Sequence, residues 1–127
     1  MKPFILSILF CLACFGCGAP ESSLVGTYSV EDGGKLVEFI RVDKQGDAFT
    51  VSENHNGKWS SPEVAKPVSK EEFQNYTKES VAVDFSGLSC GAAAIFQVPK
   101  GWRSGQFECK TGYFLGTLLG PVELHKN

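Results

Sequence analysis

The residues that could do chemistry are few and widely spaced. The segment Gly87-Leu88-Ser89-Cys90-Gly91 has the Gly-x-Ser-x-Gly spacing of a nucleophile elbow. In that motif a serine lies on a sharp turn between a strand and a helix of a large α/β scaffold. The small, apolar run that follows here is typical of a strand, and the chain is too short for such a scaffold. We therefore interpret 87–91 as a glycine-rich turn before a buried strand.

The other candidate catalytic groups form no pattern. His55 and His125 belong to no His-x-x-x-His or Cys/His cluster, so the sequence does not indicate a metal site. The neighbouring acids Glu71 and Glu72 fit the first turn of a helix, where negative charge suits the helix dipole. The sequence thus predicts a protein without catalytic residues, cofactor or metal, which means that it predicts no enzyme.

Two turns are better candidates for binding. Lys58 and Trp59 follow Gly57, and Trp102 and Arg103 follow Gly101. Tryptophan and arginine dominate binding hot spots when a partner removes their water. We therefore expect these two pairs, Trp102 with Arg103 above all, to contact a protein partner. The alternative for each tryptophan is an ordinary lid over the core.

The N-terminal segment is a targeting signal. Lys2 precedes an apolar run over residues 4–15, and the small residues Gly16, Gly18 and Ala19 come next. A basic start, a short apolar middle and a small-residue cleavage site are typical of a secretory signal. The apolar run is shorter than the ~20 residues that a spanning helix needs.

The junction Phe15-Gly16-Cys17-Gly18 resembles the lipobox of bacterial lipoproteins. The resemblance implies a signal peptide at 1–16, a lipid on Cys17 and a flexible polar tether at 17–23. Cys14, which follows Ala13, is the alternative lipidation residue; Cys17 leaves the longer apolar run. Because Gly18 is not aspartate, the resemblance also implies the periplasmic face of an outer membrane. The other alternative is an ordinary signal cleaved after Ala19.

Composition bounds the rest of the chain. About 110 residues after the signal make one domain with a single modest core, which we place at 24–127. The whole chain has a formal net charge of -2, and losing Lys2 makes it more negative. No basic patch stands out, so nucleic acid is not an expected partner.

Cys90 and Cys109 remain in the body of the chain, and in an oxidising compartment we expect them to pair. A tight turn centred on Pro99 and Lys100 would set Val98 opposite Gly101, and Cys90 opposite Cys109. Such opposed residues lie about 4.5–5.5 Å apart at Cα, which suits a disulfide. The bridge would stabilise the fold by about 3 kcal/mol in the chain-entropy model. A wider loop through Gly105 would break this register.

The sequence predicts an all-β protein. Short runs rich in aromatic and β-branched residues are separated by glycine turns such as Gly33-Gly34 and Asn56-Gly57. Ser69 and Glu72 form a capping box that predicts one short helix over 69–78, after a linker at 61–68. We expect a small antiparallel barrel or strongly curved meander of about eight or nine strands. The predicted runs are 24–30, 35–42, 48–52, a short run ending at Trp59, 81–85, 91–98, 106–110, 113–119 and 122–125.

These features favour a non-enzymatic module that binds another envelope protein. Small lipidated β-domains often serve as inhibitors or immunity proteins in the bacterial envelope, which is an analogy of size, class and location. The alternative is a lipocalin-like carrier of a small apolar ligand. An apolar cavity of about 300 Å³ or more would favour the carrier.

Overall fold

The computed structural model describes residues 21–77 and 83–127. The predicted signal peptide and the two candidate lipidation residues, Cys14 and Cys17, lie outside the described residues. The all-β prediction is confirmed, and the described residues contain one α-helix and one 3-10 helix, Glu21–Leu24. The helix α1 is Lys70–Thr77, and the strands are β1 (Gly26–Asp32), β2 (Lys35–Gln45), β3 (Ala48–His55), β4 (Lys58–Trp59), β5 (Glu63–Pro67), β6 (Ser86–Cys90), β7 (Ala93–Gln97), β8 (Trp102–Ser104), β9 (Phe107–Cys109), β10 (Tyr113–Thr117), β11 (Gly120–Glu123) and β12 (His125–Lys126).

Nine of the strands form a nearly closed antiparallel barrel. Their order is β11-β10-β7-β6-β5-β3-β2-β1-β12; β4 pairs with the end of β3, and β8 and β9 make a separate ribbon. The strands β11 and β12 lie on opposite edges of this order, yet only Leu124 separates them in the chain. The C-terminal segment therefore joins the two edges of the sheet, because β11 pairs with β10 and β12 pairs with β1.

Glycine-containing turns set the register of the first strands. Gly33 and Gly34 have φ values of 60° and 83°, and Asn56 and Gly57 have 55° and 87°. Positive φ at both central residues is the mark of a type I′ turn, which matches the twist of a hairpin. The predicted meander in the first half of the chain is confirmed, with β2 and β3 longer than predicted.

The core has two parts, one on each face of the sheet. The inner cluster fills the barrel, and the outer cluster lies between the sheet and α1. The strand β7 contributes to both, since Ile95 belongs to the inner cluster while Ala94 and Phe96 belong to the outer one. The predicted buried strand at 91–98 is therefore confirmed for β7, which is buried on both faces.

The capping box forms as the sequence predicts. The Glu72 amide donates to Ser69 Oγ at 3.2 Å, and the Ser69 amide donates to Glu72 Oε1 at 3.1 Å. Two amides that the helix cannot satisfy internally are thereby bonded. Phe73 is buried in the outer cluster and docks the helix on the sheet.

Replacing Ser69 by alanine is expected to lower the free energy of unfolding by about 1 kcal/mol, because the cap of α1 is lost. Urea titration monitored by far-ultraviolet circular dichroism measures this loss. The matched control is Ser61→Ala, in an exposed segment outside the helix, which should leave the free energy of unfolding unchanged. Equal losses in the two variants would contradict the capping role of Ser69.

Three local predictions were wrong. The predicted linker at 61–68 contains β5, which pairs with both β3 and β6 and buries Ala65 in the inner cluster. The segment 87–91, predicted as a turn, lies almost wholly in β6, because residues 87–90 pair along β7. The described part of the predicted strand 81–85, residues 83–85, is outside regular structure.

The register that suggested a disulfide was also wrong. Cys90 pairs with Ala93 at the turn between β6 and β7, whereas Cys109 pairs with Trp102 in the separate ribbon. The physical reason is that β7 pairs with β6 and β10, so β8 does not fold back on it, and the ribbon turns at Gly105 instead. Both thiols are free in the structure.

Candidate functional site

One end of the barrel is closed by the 3-10 helix. Leu24 is fully buried in the inner cluster, and its carbonyl accepts a hydrogen bond of 2.5 Å from the Tyr28 hydroxyl. Lys126 Nζ donates to the Ser23 carbonyl at 2.7 Å, and the Ser23 hydroxyl bonds the side chain of Gln97. Burial raises the pKa of Tyr28 well above its usual value, so this phenol stays a donor. Residues 21–23 of the predicted tether are therefore part of the fold.

The opposite end of the barrel is open, and we call this opening the mouth. There β12 pairs only with Tyr28 and Ser29, so the last residues of β1 have no second strand beside them within the described part of the chain. The strand β11 likewise pairs only with β10. The mouth is thus the gap between the β1–β2 hairpin and the β10–β11 hairpin.

An apolar groove of ≈ 590 Å³ lies on one side of the mouth. At the tip of the β10–β11 hairpin, Leu118 is 87% exposed and Leu119 is 100% exposed. Glu31 is the one charged residue among the described residues that line the groove. Adjoining exposed apolar side chains typically mark an interaction site. Other residues that line the groove are Val30, Phe39, Ala93, Leu115, Pro121 and Val122.

A smaller cavity of ≈ 90 Å³ adjoins the groove, sharing Ala93 and Leu115 with it. Its lining includes Ile40, Val51, Leu88 and Ile95, together with two carboxylates, Glu53 and Glu63. No lysine or arginine lines it or the groove among the described residues. We include this cavity in the mouth, so the mouth is apolar on the groove side and carries two carboxylates on the cavity side.

Cys90 belongs to the acidic side of the mouth. Its thiol donates a hydrogen bond to Glu63 Oε2, with sulfur and oxygen 3.2 Å apart. Burial first, and then Glu63 and Glu53, raise the pKa of this thiol to about 11. A cysteine that is a thiol at neutral pH is a poor nucleophile, so Cys90 acts as a hydrogen-bond donor rather than as a reactive group.

The rate of alkylation of Cys90 by iodoacetamide is therefore expected to be low at pH 8, about tenfold or more below that of an unperturbed thiol. The rate should keep rising as the pH approaches about 11, because only the thiolate reacts. Peptide mass spectrometry measures the modification at this site. In Glu63→Gln the pH profile of the alkylation rate should move to lower pH. In the protein without this substitution, a rate that levels off near pH 9 would contradict the raised pKa.

The structure gives Trp102 and Arg103 different roles. Trp102 packs in the outer cluster, stacked on Phe114 with ring centroids 5.4 Å apart, and it tilts against Phe73 at 5.7 Å. It lines a pocket of ≈ 260 Å³ with Phe107 and other residues. Arg103 is exposed and lies 3.7 Å from a Glu108 oxygen. Trp102 thus packs on the core beneath the β8–β9 ribbon, as its alternative role describes, and contact of Trp102 or Arg103 with a partner stays a prediction.

Lys58 and Trp59 form the short strand β4, beside the end of β3. The cation over the Trp59 ring is Arg41 of β2, at 4.6 Å, instead of the neighbouring Lys58. Lys58 is exposed. The two tryptophan pairs belong to different parts of the sheet system, and neither lines the mouth.

Sequence reasoning missed Leu118 and Leu119 because it placed both in a strand ending at 119. The structure ends β10 at Thr117, whose hydroxyl accepts from the Leu119 amide at 3.2 Å and donates to the Gly120 carbonyl at 2.7 Å. Turns normally carry polar residues or glycine. Two leucines directly before Gly120-Pro121 are therefore a readable signal of an exposed apolar turn.

The mouth is the strongest candidate binding site in the described part of the chain, because the other motifs and clusters in that part offer no alternative site. No group of three or more His, Cys, Asp or Glu side chains there could hold a metal ion, and no helix there is long and apolar enough to cross a membrane. Ser89, the serine of the Gly-x-Ser-x-Gly spacing, lies in β6 with its hydroxyl 3.5 Å from the Lys66 carbonyl. Comparison with known proteins finds no matching family model, curated protein or solved structure.

Proposed function

We propose that this protein is a non-enzymatic binding module, lipid-anchored in a bacterial envelope, that grips another envelope protein through its mouth. The observation that carries the proposal is the exposure of Leu118 and Leu119 beside the apolar groove. Leaving two leucines in water forgoes about 1.5–3 kcal/mol of burial for each. A partner that covers them gains this free energy, as the role of an inhibitor or immunity protein requires.

The position of the mouth favours a protein as the binding partner, rather than the membrane surface. Residues 18–20 would join a lipidated Cys17 to the 3-10 helix, so the closed end of the barrel would lie next to the membrane. The mouth is at the other end of β1, a seven-residue strand. At about 3.3 Å per residue the mouth would lie some 20 Å further from the membrane, facing the periplasm.

The size of the interior favours a protein partner over a small apolar ligand. The cavity beside the groove holds ≈ 90 Å³, below the ~300 Å³ of typical ligand pockets. Side chains of the inner cluster, Tyr28 and Leu124 among them, fill the remainder. The larger space is an open groove, which suits a macromolecular surface, so we do not propose the carrier function.

Site-specific photo-crosslinking in the producing cells tests the binding function. A benzophenone amino acid in place of Leu119 should give one discrete crosslinked species with another envelope protein. The matched control is the same amino acid in place of Asp47, which is exposed in the β2–β3 turn at the far end of the barrel. Absence of any species at position 119, or identical species at both positions, would overturn the proposal.

The intact mass of the protein extracted from membranes tests the anchor. The expected mass begins at Cys17 and includes the acyl chains of a bacterial lipoprotein. It also tells whether Cys90 and Cys109 carry free thiols, as they do in the structure. A mass beginning after Ala19 without lipid would remove the anchor from the proposal and leave the mouth to be tested on its own.

A further inference from the structure

We infer that the mouth accepts an extended segment of the partner, one that combines apolar side chains with at least one lysine or arginine. This inference rests on the proposed binding function and names the chemistry of the partner. Three features of the mouth carry it: an unpaired strand edge, an apolar lining, and carboxylates with no lysine or arginine among the described lining residues.

The unpaired edge belongs to β1. Asp32 and Lys35 flank the two-residue turn Gly33-Gly34, so they form a hydrogen-bonded pair of the ladder. The next pair, Glu31 with Leu36, is then non-hydrogen-bonded, and the Glu31 N–H and C=O point away from β2 towards the gap. Ser29, two residues earlier, pairs with His125 of β12 on that same side. An added strand would therefore continue the position of β12 along β1.

The opposite edge of the gap is a poorer template. Pro121 of β11 has no N–H, and proline on an edge strand blocks strand addition. A segment that adds to β1 would still contact the apolar lining of both hairpins. Alternate side chains of an extended segment point to the same side, so every second residue would face Val30, Phe39 and Leu115. The geometry thus selects a strand with apolar residues on one face.

The carboxylates in and beside the groove favour a lysine or arginine in the partner segment. Glu31 lines the groove, while Glu53 and Glu63 line the adjoining cavity. His55 lies 3.6 Å from Glu53 and carries charge only when protonated, and Glu63 accepts the thiol of Cys90. A cationic side chain reaching past Ala93 would meet these two cavity carboxylates, both of which are exposed in the free protein. Complementary charge of this kind sets specificity and association rate more than affinity.

A random heptapeptide library on a solid support, probed with the full chain in detergent micelles at low ionic strength, tests the inference. Peptides with apolar residues at alternate positions and a lysine or arginine should be enriched. In Glu53→Gln/Glu63→Gln the preference for the basic residue should fall about fivefold, with the apolar preference kept. The matched control, Asp47→Asn/Glu71→Gln, removes two exposed acids elsewhere and should change nothing.

Three results from the peptide library would overturn the inference. They are enrichment of acidic peptides, enrichment without charge preference, and no enrichment at all. A crosslink at position 119 to a second copy of this chain would overturn it as well, since the occupant would then be the protein itself. If the crosslink captures another protein while the library shows no basic preference, the inference fails and the binding function stands. If position 119 captures nothing, the binding function fails.

Discussion

Replacing Phe96 by alanine is expected to lower the free energy of unfolding by about 3–5 kcal/mol, the usual cost of deleting a buried phenylalanine. The Phe96 side chain is 0% exposed. Its ring centroid lies 5.1 Å from that of Phe114, 5.3 Å from that of Phe73 and 5.5 Å from that of Tyr76. It therefore joins α1 to the outer face of the barrel, and its loss would leave a cavity bounded by three rings.

Two glycines make room for this ring. A Cβ on Gly87 would lie 2.7 Å from Phe96 Cδ1, and a Cβ on Gly116 would lie 3.2 Å from Phe96 Cε2. Glycine inside a strand often marks such a close approach. The first glycine of the Gly-x-Ser-x-Gly spacing thus has a packing role, and the surroundings of Phe96 cannot relax inward to fill a cavity without moving β6 or β10.

Urea unfolding followed by tryptophan fluorescence measures the Phe96→Ala loss. The matched control is Phe107→Ala, because Phe107 is half-buried and packs on the same outer cluster from the β8–β9 ribbon, 5.5 Å from Phe114. The control should cost clearly less than Phe96→Ala. Equal losses would show that the outer cluster is not centred on Phe96.

The double substitution Leu118→Ser/Leu119→Ser is expected to weaken binding of the partner captured at position 119 by about tenfold or more. A partner that buries either leucine gains about 1.5–3 kcal/mol, and each 1.4 kcal/mol is a factor of ten in affinity. Because both leucines are exposed in the free protein, the free energy of unfolding should change by no more than ~0.5 kcal/mol. Large loss of binding with unchanged stability is the signature of an interface.

Isothermal titration calorimetry with the captured partner and thermal unfolding measure the two quantities. Val64→Ser is the matched control, since Val64 is 65% exposed on β5 and does not line the groove. It should leave both affinity and stability unchanged. If Val64→Ser weakens binding as much as the leucine pair does, the partner contacts a different face of the barrel.

Local chemistry in the sequence determined the turns, the helix and the strand class. Gly33-Gly34 and Asn56-Gly57 require positive φ, so each specifies a hairpin from within four residues. Ser69 and Glu72 specify the start of α1 in the same local way. The all-β class and the buried strand at 91–98 follow from composition and from the short apolar runs, and those predictions are confirmed.

Only the tertiary structure decided which strands meet and where the barrel stays open. β12 pairs with β1 although nearly the whole length of the sequence separates them. No residue near His125 predicts that His125 will lie beside Ser29. The strand β5, the separation of Cys90 from Cys109 and the apolar groove all depend on such long-range pairing. Pairing between strands that are distant in the sequence depends on which arrangement buries the apolar faces of all the strands at the same time. For that reason the mouth, with Leu118 and Leu119 at its edge, is visible only when the sheet has been assembled.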